Sequence, residues 1–259
     1  MTAARFDRTT RPGTSSLATT VLGLAALLGL AVTVGLGLGL PASEEQGEYS
    51  RLIAIHPPLA WAAYVAVGVT ALASAFWLWR RTRSITWDLL AGASAEIAVV
   101  FTGLTLVTGS IWGRPTWGVW WVWDARLTLT AIMFVLELGY LALRRVPAAR
   151  EVRATRAAIA ALLAAAVVPI NHMAVEWWRT LHQGRSLIQP NPERAADPEF
   201  IAAMLVGFLA MTVLYAWLLV HRLRVARLEE RIDDAGLEVA LAERRAEGLV
   251  DLEREVAAR

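Results

Sequence analysis

Six long apolar runs constrain this chain more than any other feature: Leu17 to Leu40, Leu59 to Trp79, Leu89 to Thr108, Leu127 to Leu143, Ala157 to Ile170 and Ile201 to Val220. A hydrocarbon core takes about 20 helical residues. Within lipid only a helix satisfies every backbone N–H and C=O inside its own segment, so the runs predict six transmembrane helices and an all-α membrane protein. The fifth run is the shortest and reaches bilayer length only by continuing through Asn171 and His172 toward Trp177. Composition agrees: 56% of residues are apolar and 19% are charged, against about a quarter charged in soluble domains. Pro41-Ala42-Ser43 after the first run resembles a cleavage site. The apolar part of a signal peptide is only about 7–15 residues, however, so the longer run here is expected to stay as an uncleaved first span.

Charge sets the expected orientation. All basic side chains are arginine, and they gather before span one (Arg5, Arg8, Arg11), after span two (Arg80, Arg81, Arg83), after span four (Arg144, Arg145, Arg150, Arg153, Arg156) and after span six (Arg222, Arg224, Arg227). Acids are prominent in the alternate loops, among them Glu44, Glu45, Glu48, Asp124, Glu176 and Glu193. The positive-inside rule then places both termini in the cytoplasm. Three segments are expected to face outward, about Pro41 to Ile55, Gly109 to Arg126 and Glu176 to Phe200. The chain divides into a cytoplasmic tail over 1–16, a six-span domain over 17–221 and a charged cytoplasmic tail over 222–259. That tail carries Leu223, Leu228, Ile232, Leu237, Leu241, Leu249 and Leu252 and reads as a helix, interrupted by Gly236 and Gly248. No cysteine is present, which excludes disulfides, thiol exchange and the C-x-x-C-H attachment sequence of a c-type cytochrome.

The second outward segment holds Trp112, Trp117, Trp120, Trp121 and Trp123, five of the chain's twelve tryptophans, and it ends in Asp124 and Arg126. Interfacial tryptophans ordinarily scatter over all helix ends. Five together, spaced by Gly113 and Gly118, suit a platform for a large flat aromatic ligand, each indole offering an apolar face and one N–H donor. A histidine stands in each of the other two outward segments. His56 precedes Pro57 and Pro58 at the mouth of span two, where proline favours a first helical turn. His182 lies past the Trp177–Trp178 pair.

Two neutral imidazoles on either side of a tryptophan loop suit the two axial positions of a haem iron. Arg114, Arg126 and Arg185 are candidates for its propionates, because guanidinium meets carboxylate in a planar fork. His172 is the competing ligand, and His221 belongs to the opposite membrane face. Glu96 and Glu137 fall inside spans three and four, where a carboxyl is either functional or a helix-packing hydrogen-bond partner. A transporter moving haem or another solute through the bundle, and a cytochrome-b-like electron carrier, are the alternative classes. The first lacks an evident inverted repeat, and the second would place its ligands inside the bilayer.

Two motifs carry a family resemblance: Trp-Gly-x-x-x-Trp-Gly-x-Trp-Trp-x-Trp-Asp-x-Arg-Leu-Thr over Trp112 to Thr128, and Val-Glu-Trp-Trp-x-Thr-Leu-His-Gln-Gly over Val175 to Gly184. The stretch from Glu48 to Gly184 strongly resembles the CcmC family of haem-handling proteins in bacterial cytochrome c maturation, and more loosely the wider tryptophan-rich WWD family. The resemblance implies that His56 and His182 ligate haem iron, the haem being haem b carried as a transported ligand on the outward face of the bacterial inner membrane. It implies delivery to a haem chaperone, CcmE, with the CcmA–CcmB ABC transporter, the small protein CcmD and membrane lipid as partners, and no nucleic acid. A ligand-holding protein without a separate catalytic apparatus is expected, a lyase-like part in joining haem to the chaperone being left open.

Overall fold

The computed structural model describes residues 16–44, 46–182 and 197–257. Arg5, Arg8, Arg11, Glu45, Arg185 and Glu193 therefore lie outside the described residues. Backbone contacts divide the chain into Met1–Leu219 and Val220–Arg259.

The first unit is built from α1 (Leu17–Gly39), a 3-10 turn (Glu48–Ala54), α2 (His56–Leu78), α3 (Ile85–Trp117), α4 (Ala125–Arg145), α5 (Arg150–Ala165), α6 (Val167–Trp177) and the start of α7 (Pro198–Ala257). Among the described residues, six helical stretches are long and apolar enough to cross a membrane, α5 and α6 together forming one of them over Arg150–Trp177. The chain is an all-α, multi-pass membrane protein. The fifth span does run on through Asn171 and His172, as its length required. It breaks at Ala166 because Pro169 has no N–H to give the carbonyl four residues earlier, and its ring crowds that carbonyl.

Helix ends follow local chemistry. Ser16 caps α1, its hydroxyl accepting from the Thr19 N–H at 3.3 Å. Pro57 and Pro58 occupy the first turn of α2. Asp124 caps α4 through the Leu127 N–H at 2.8 Å. The segment from Gly109 to Arg126, expected to be a loop, is mostly helix: α3 continues to Trp117 and ends only at Gly118, whose φ of 77° lies in the left-handed region. Gly109 and Gly113 are tolerated inside a helix, and Pro115 is close enough to the end to disturb little beyond one backbone bond. Thirty-three helical residues extend about 50 Å at 1.5 Å each, more than a hydrocarbon core of about 30 Å. α3 is thus longer than the apolar layer is thick, and its last turns carry Trp112 and Trp117.

Small residues bring the helices together, as lipid supplies no hydrophobic drive for their association. Ala62, Ala63 and Ala66 of α2 pack with Ile97, Ala98 and Phe101 of α3, Met133 of α4 and Tyr215 of α7. The Ser94 hydroxyl lies 2.7 Å from the Ala66 carbonyl and 2.7 Å from the Tyr215 hydroxyl, tying three helices. Glu137 is buried and accepts from the Thr102 hydroxyl at 3.2 Å, which gives one intramembrane carboxyl a packing partner. Glu96 is half-buried on α3. Asn171 donates to the Thr130 hydroxyl at 3.0 Å, joining α6 to α4. Arg144 makes a two-pronged bond to buried Asp88 at 2.5 and 3.0 Å, its guanidinium resting against the bare face of Gly92.

In the second unit α7 stays helical through Gly236. Leu228, Ile232, Leu237 and Leu241 are exposed on it, and Arg222 pairs with Glu229 at 3.2 Å.

Candidate functional site

A cavity of about 420 Å³ opens among α2, α3, α4, α6 and the segment after Trp178, within the range of about 300–1,000 Å³ usual for cofactor pockets. His56 begins α2 and is buried at its wall. Its Nδ1 lies 2.9 Å from the Thr108 hydroxyl, and that hydroxyl donates to the Leu104 carbonyl at 2.8 Å. Gly109 faces the same ring: a Cβ there would stand 3.0 Å from His56 Cε1. The absent side chain is what lets α3 approach the imidazole.

His182 comes from the far side, beyond the end of α6. The two imidazole centres are 6.4 Å apart, with planes inclined by 38°. Trp112 meets His56 edge-on at 5.7 Å, and Trp117 stands 6.5 Å from His182. Asp124 joins the parts: while one carboxylate oxygen caps α4, the other accepts from the Leu181 N–H at 3.2 Å, next to His182. Asp124 is thus both the cap of α4 and a strap on the histidine segment.

The five tryptophans of the motif divide. Trp112, Trp117 and Trp121 line the cavity, and the first two share a helical face with Gly109, Gly113 and Thr116. Trp112 donates to Gln46 at 2.9 Å, which anchors the segment before the 3-10 turn. The Trp121 Nε1 is buried with no hydrogen-bond acceptor among the described residues. Trp120 and Trp123 do not line the cavity; they are exposed, and Trp123 packs edge-on against Trp121 at 5.5 Å. The chain turns at Gly118, and that turn sends these side chains away. Arg126 lines the cavity near Tyr64 and His56. Arg114 does not line it and instead bonds back to the Gly118 carbonyl, closing the end of α3.

The family model described as Heme exporter protein C matches residues 5–237. The chain belongs to the heme exporter protein C family. Heme exporter protein C of Haemophilus influenzae is 39% identical over 207 residues, covering 79% of this chain and 81% of the relative. The protein of that name from Bradyrhizobium diazoefficiens is 37% identical over 212 residues, 79% of each chain. That of Escherichia coli K12 is 36% identical over 207 residues, covering 78% of this chain and 81% of the relative. A putative cytochrome c biosynthesis ccmC-like mitochondrial protein of Marchantia polymorpha is 38% identical over 149 residues, covering 58% of this chain and 62% of the relative.

In this member of the heme exporter protein C family, the cavity also takes in residues that the sequence did not single out. Tyr64 follows His56 and Ala60 along one face of α2, at spacings of four, and that periodicity was the available signal. Trp61 lines it too, its indole N–H bonded to Thr212 at 2.9 Å. Gly109 lines it as well, and Thr108 stands behind His56 without lining the cavity; both come at the end of an apolar run where nothing local marks them. His172, the competing ligand, lies at the same cavity with its ring edge-on to Tyr64 at 6.4 Å. Its ring contact is with a phenol, whereas the His56 ring has the His182 ring beside it at 6.4 Å.

Proposed function

We propose that this heme exporter protein C family member holds haem between His56 and His182 and presents it to an acceptor haem chaperone for cytochrome c assembly. One observation carries the reading. With a metal–nitrogen bond of about 2 Å and about 1.1 Å from nitrogen to ring centre, two imidazoles on one iron have centres roughly 6.3 Å apart; His56 and His182 stand 6.4 Å apart.

The walls fit the same ligand. Trp112, Trp117 and Trp121 give apolar aromatic faces for a porphyrin. Trp121 Nε1 is a buried donor needing an acceptor, and Arg126 brings a guanidinium to the cavity. Both suit a propionate. Haem supplies the iron and the carboxylates; the protein's work is to hold and shield it and then to give up an axial histidine when an acceptor ligand arrives.

Placement favours handover over electron transfer through the membrane. His56 is the first residue of α2 and His182 lies beyond α6, so both ligands sit at helix ends rather than mid-span. The arginine distribution supports an orientation with this end on the outer side of the inner membrane and both termini in the cytoplasm. A cytochrome c maturation assembly with an ABC transporter is the matching setting, in keeping with the word exporter in the relatives' names.

The test is the visible spectrum of detergent-purified protein carrying His56→Ala or His182→Ala beside wild type. Loss or displacement of haem absorbance is expected in both. Wild-type spectra from both variants would reject the assignment.

A further inference from the structure

We infer that Thr108 is a positioning residue that fixes the tautomer of His56 and keeps its Nε2 unprotonated toward the cavity. This rests on the reading of His56 as an iron ligand, although the hydrogen-bond chain itself belongs to the protein alone.

The Leu104 carbonyl has no proton, so its 2.8 Å contact with the Thr108 hydroxyl is attractive only when the hydroxyl proton lies between them. A hydroxyl has one proton to give. The Thr105 carbonyl, 3.3 Å away, can share only that same proton, so the hydroxyl must accept at its remaining contact, the 2.9 Å approach of His56 Nδ1. Nδ1 then carries the imidazole proton, and in a neutral ring the other nitrogen, Nε2, is left with a lone pair.

The surroundings hold this arrangement in place. Thr108 is on α3, where its hydroxyl back-bonds one turn down, a habit of helical threonine that sets the rotamer. His56 is buried, so water does not readily replace the threonine. The ring lies over Gly109, where any side chain would push on Cε1. Position comes from α2 and Gly109, and proton placement comes from Thr108.

The choice of acceptor has a chemical consequence. Metal-bound histidines usually give their second N–H to a carboxylate, carbonyl or water, which raises the basicity of the ligating nitrogen. A hydroxyl already donating elsewhere is a neutral acceptor, and it leaves the imidazole far from imidazolate.

The test uses the full-length, haem-free protein in detergent, labelled with 15N-histidine, so that the tautomer is read without haem. His56 signals are identified by their loss in His56→Gln. The Nδ1–H form is expected in wild type and in Thr108→Ser, with a shift toward Nε2–H or a mixture in Thr108→Val. In parallel, haem titration is expected to give about 10- to 100-fold weaker binding for Thr108→Val and near wild-type binding for Thr108→Ser. An Nε2–H tautomer in wild type, or Thr108→Val with both tautomer and affinity unchanged, overturns the inference. Should Thr108→Val fold poorly, the wild-type tautomer still decides. Failure of the ligand reading looks different: His56→Ala would then keep the haem spectrum whatever the tautomer of His56.

Discussion

Asp124 offers the sharpest separation of structural from site effects, because its two carboxylate oxygens do different things. One caps α4 through the Leu127 N–H at 2.8 Å, and the other restrains the Leu181 N–H at 3.2 Å beside His182. Loss of an N-cap costs about 1 kcal/mol. Loss of a hydrogen bond to a charged acceptor costs about 1.5–3 kcal/mol, and the exposure of the Leu181 contact puts it at the low end. Asp124→Ala removes both, about 2.5 kcal/mol, or roughly sixtyfold in haem affinity when the whole loss falls on the binding-competent arrangement. Asp124→Asn keeps one carbonyl oxygen for the cap, but it puts an amide NH2 where Leu181 needs an acceptor. Only the strap is lost, so about tenfold is expected. The assay is haem titration by Soret absorbance, alongside amide hydrogen exchange of the haem-free protein. Exchange should quicken over 178–182 in both variants, and over 125–130 only in Asp124→Ala. Equal effects of Ala and Asn on both segments, or wild-type affinity in both variants, would refute the division of labour.

Further outcomes follow from neighbouring contacts. Gly109→Ala places a methyl 3.0 Å from His56 Cε1 and should perturb the haem spectrum while leaving thermal unfolding nearly unchanged. Trp121→Phe should weaken haem binding by removing a buried donor at the cavity, whereas Trp120→Phe, at an exposed position, should leave equilibrium binding as it was; both are read by the same titration. Arg144→Ala strands buried Asp88 and should destabilise the protein by about 3–5 kcal/mol. Its melting temperature in detergent would fall, with the spectrum of any folded protein unaltered.

The spans were readable from sequence because the length of an apolar run is a local property, and the need to continue span five through Asn171 followed from arithmetic. The end of α3 was not. Gly109, Gly113 and Pro115 look like loop punctuation, and whether a glycine continues a helix or ends it depends on its φ; of the glycines in this segment, Gly118 is the one in the left-handed region. That misplaced boundary had a cost at the site. Once the helix runs to Trp117, Trp112 and Trp117 share a face toward the cavity, while Trp120 and Trp123 fall beyond the turn and point away. His56 was legible because Pro57 and Pro58 mark a helix start. Thr108 was not, since its role exists only when α2 and α3 lie side by side. Arg114 illustrates the limit of charge-based reasoning: a guanidinium in the right segment satisfies a backbone carbonyl instead.

The most direct measurement is electron paramagnetic resonance of the ferric haem-loaded protein, comparing wild type with His56→Gly and His182→Gly, each with and without added imidazole. Two histidines on one iron predict a low-spin wild type, a high-spin signal in either variant, and return of the low-spin signal when imidazole fills the missing position. A low-spin spectrum that survives loss of either histidine would contradict the account and direct attention to His172.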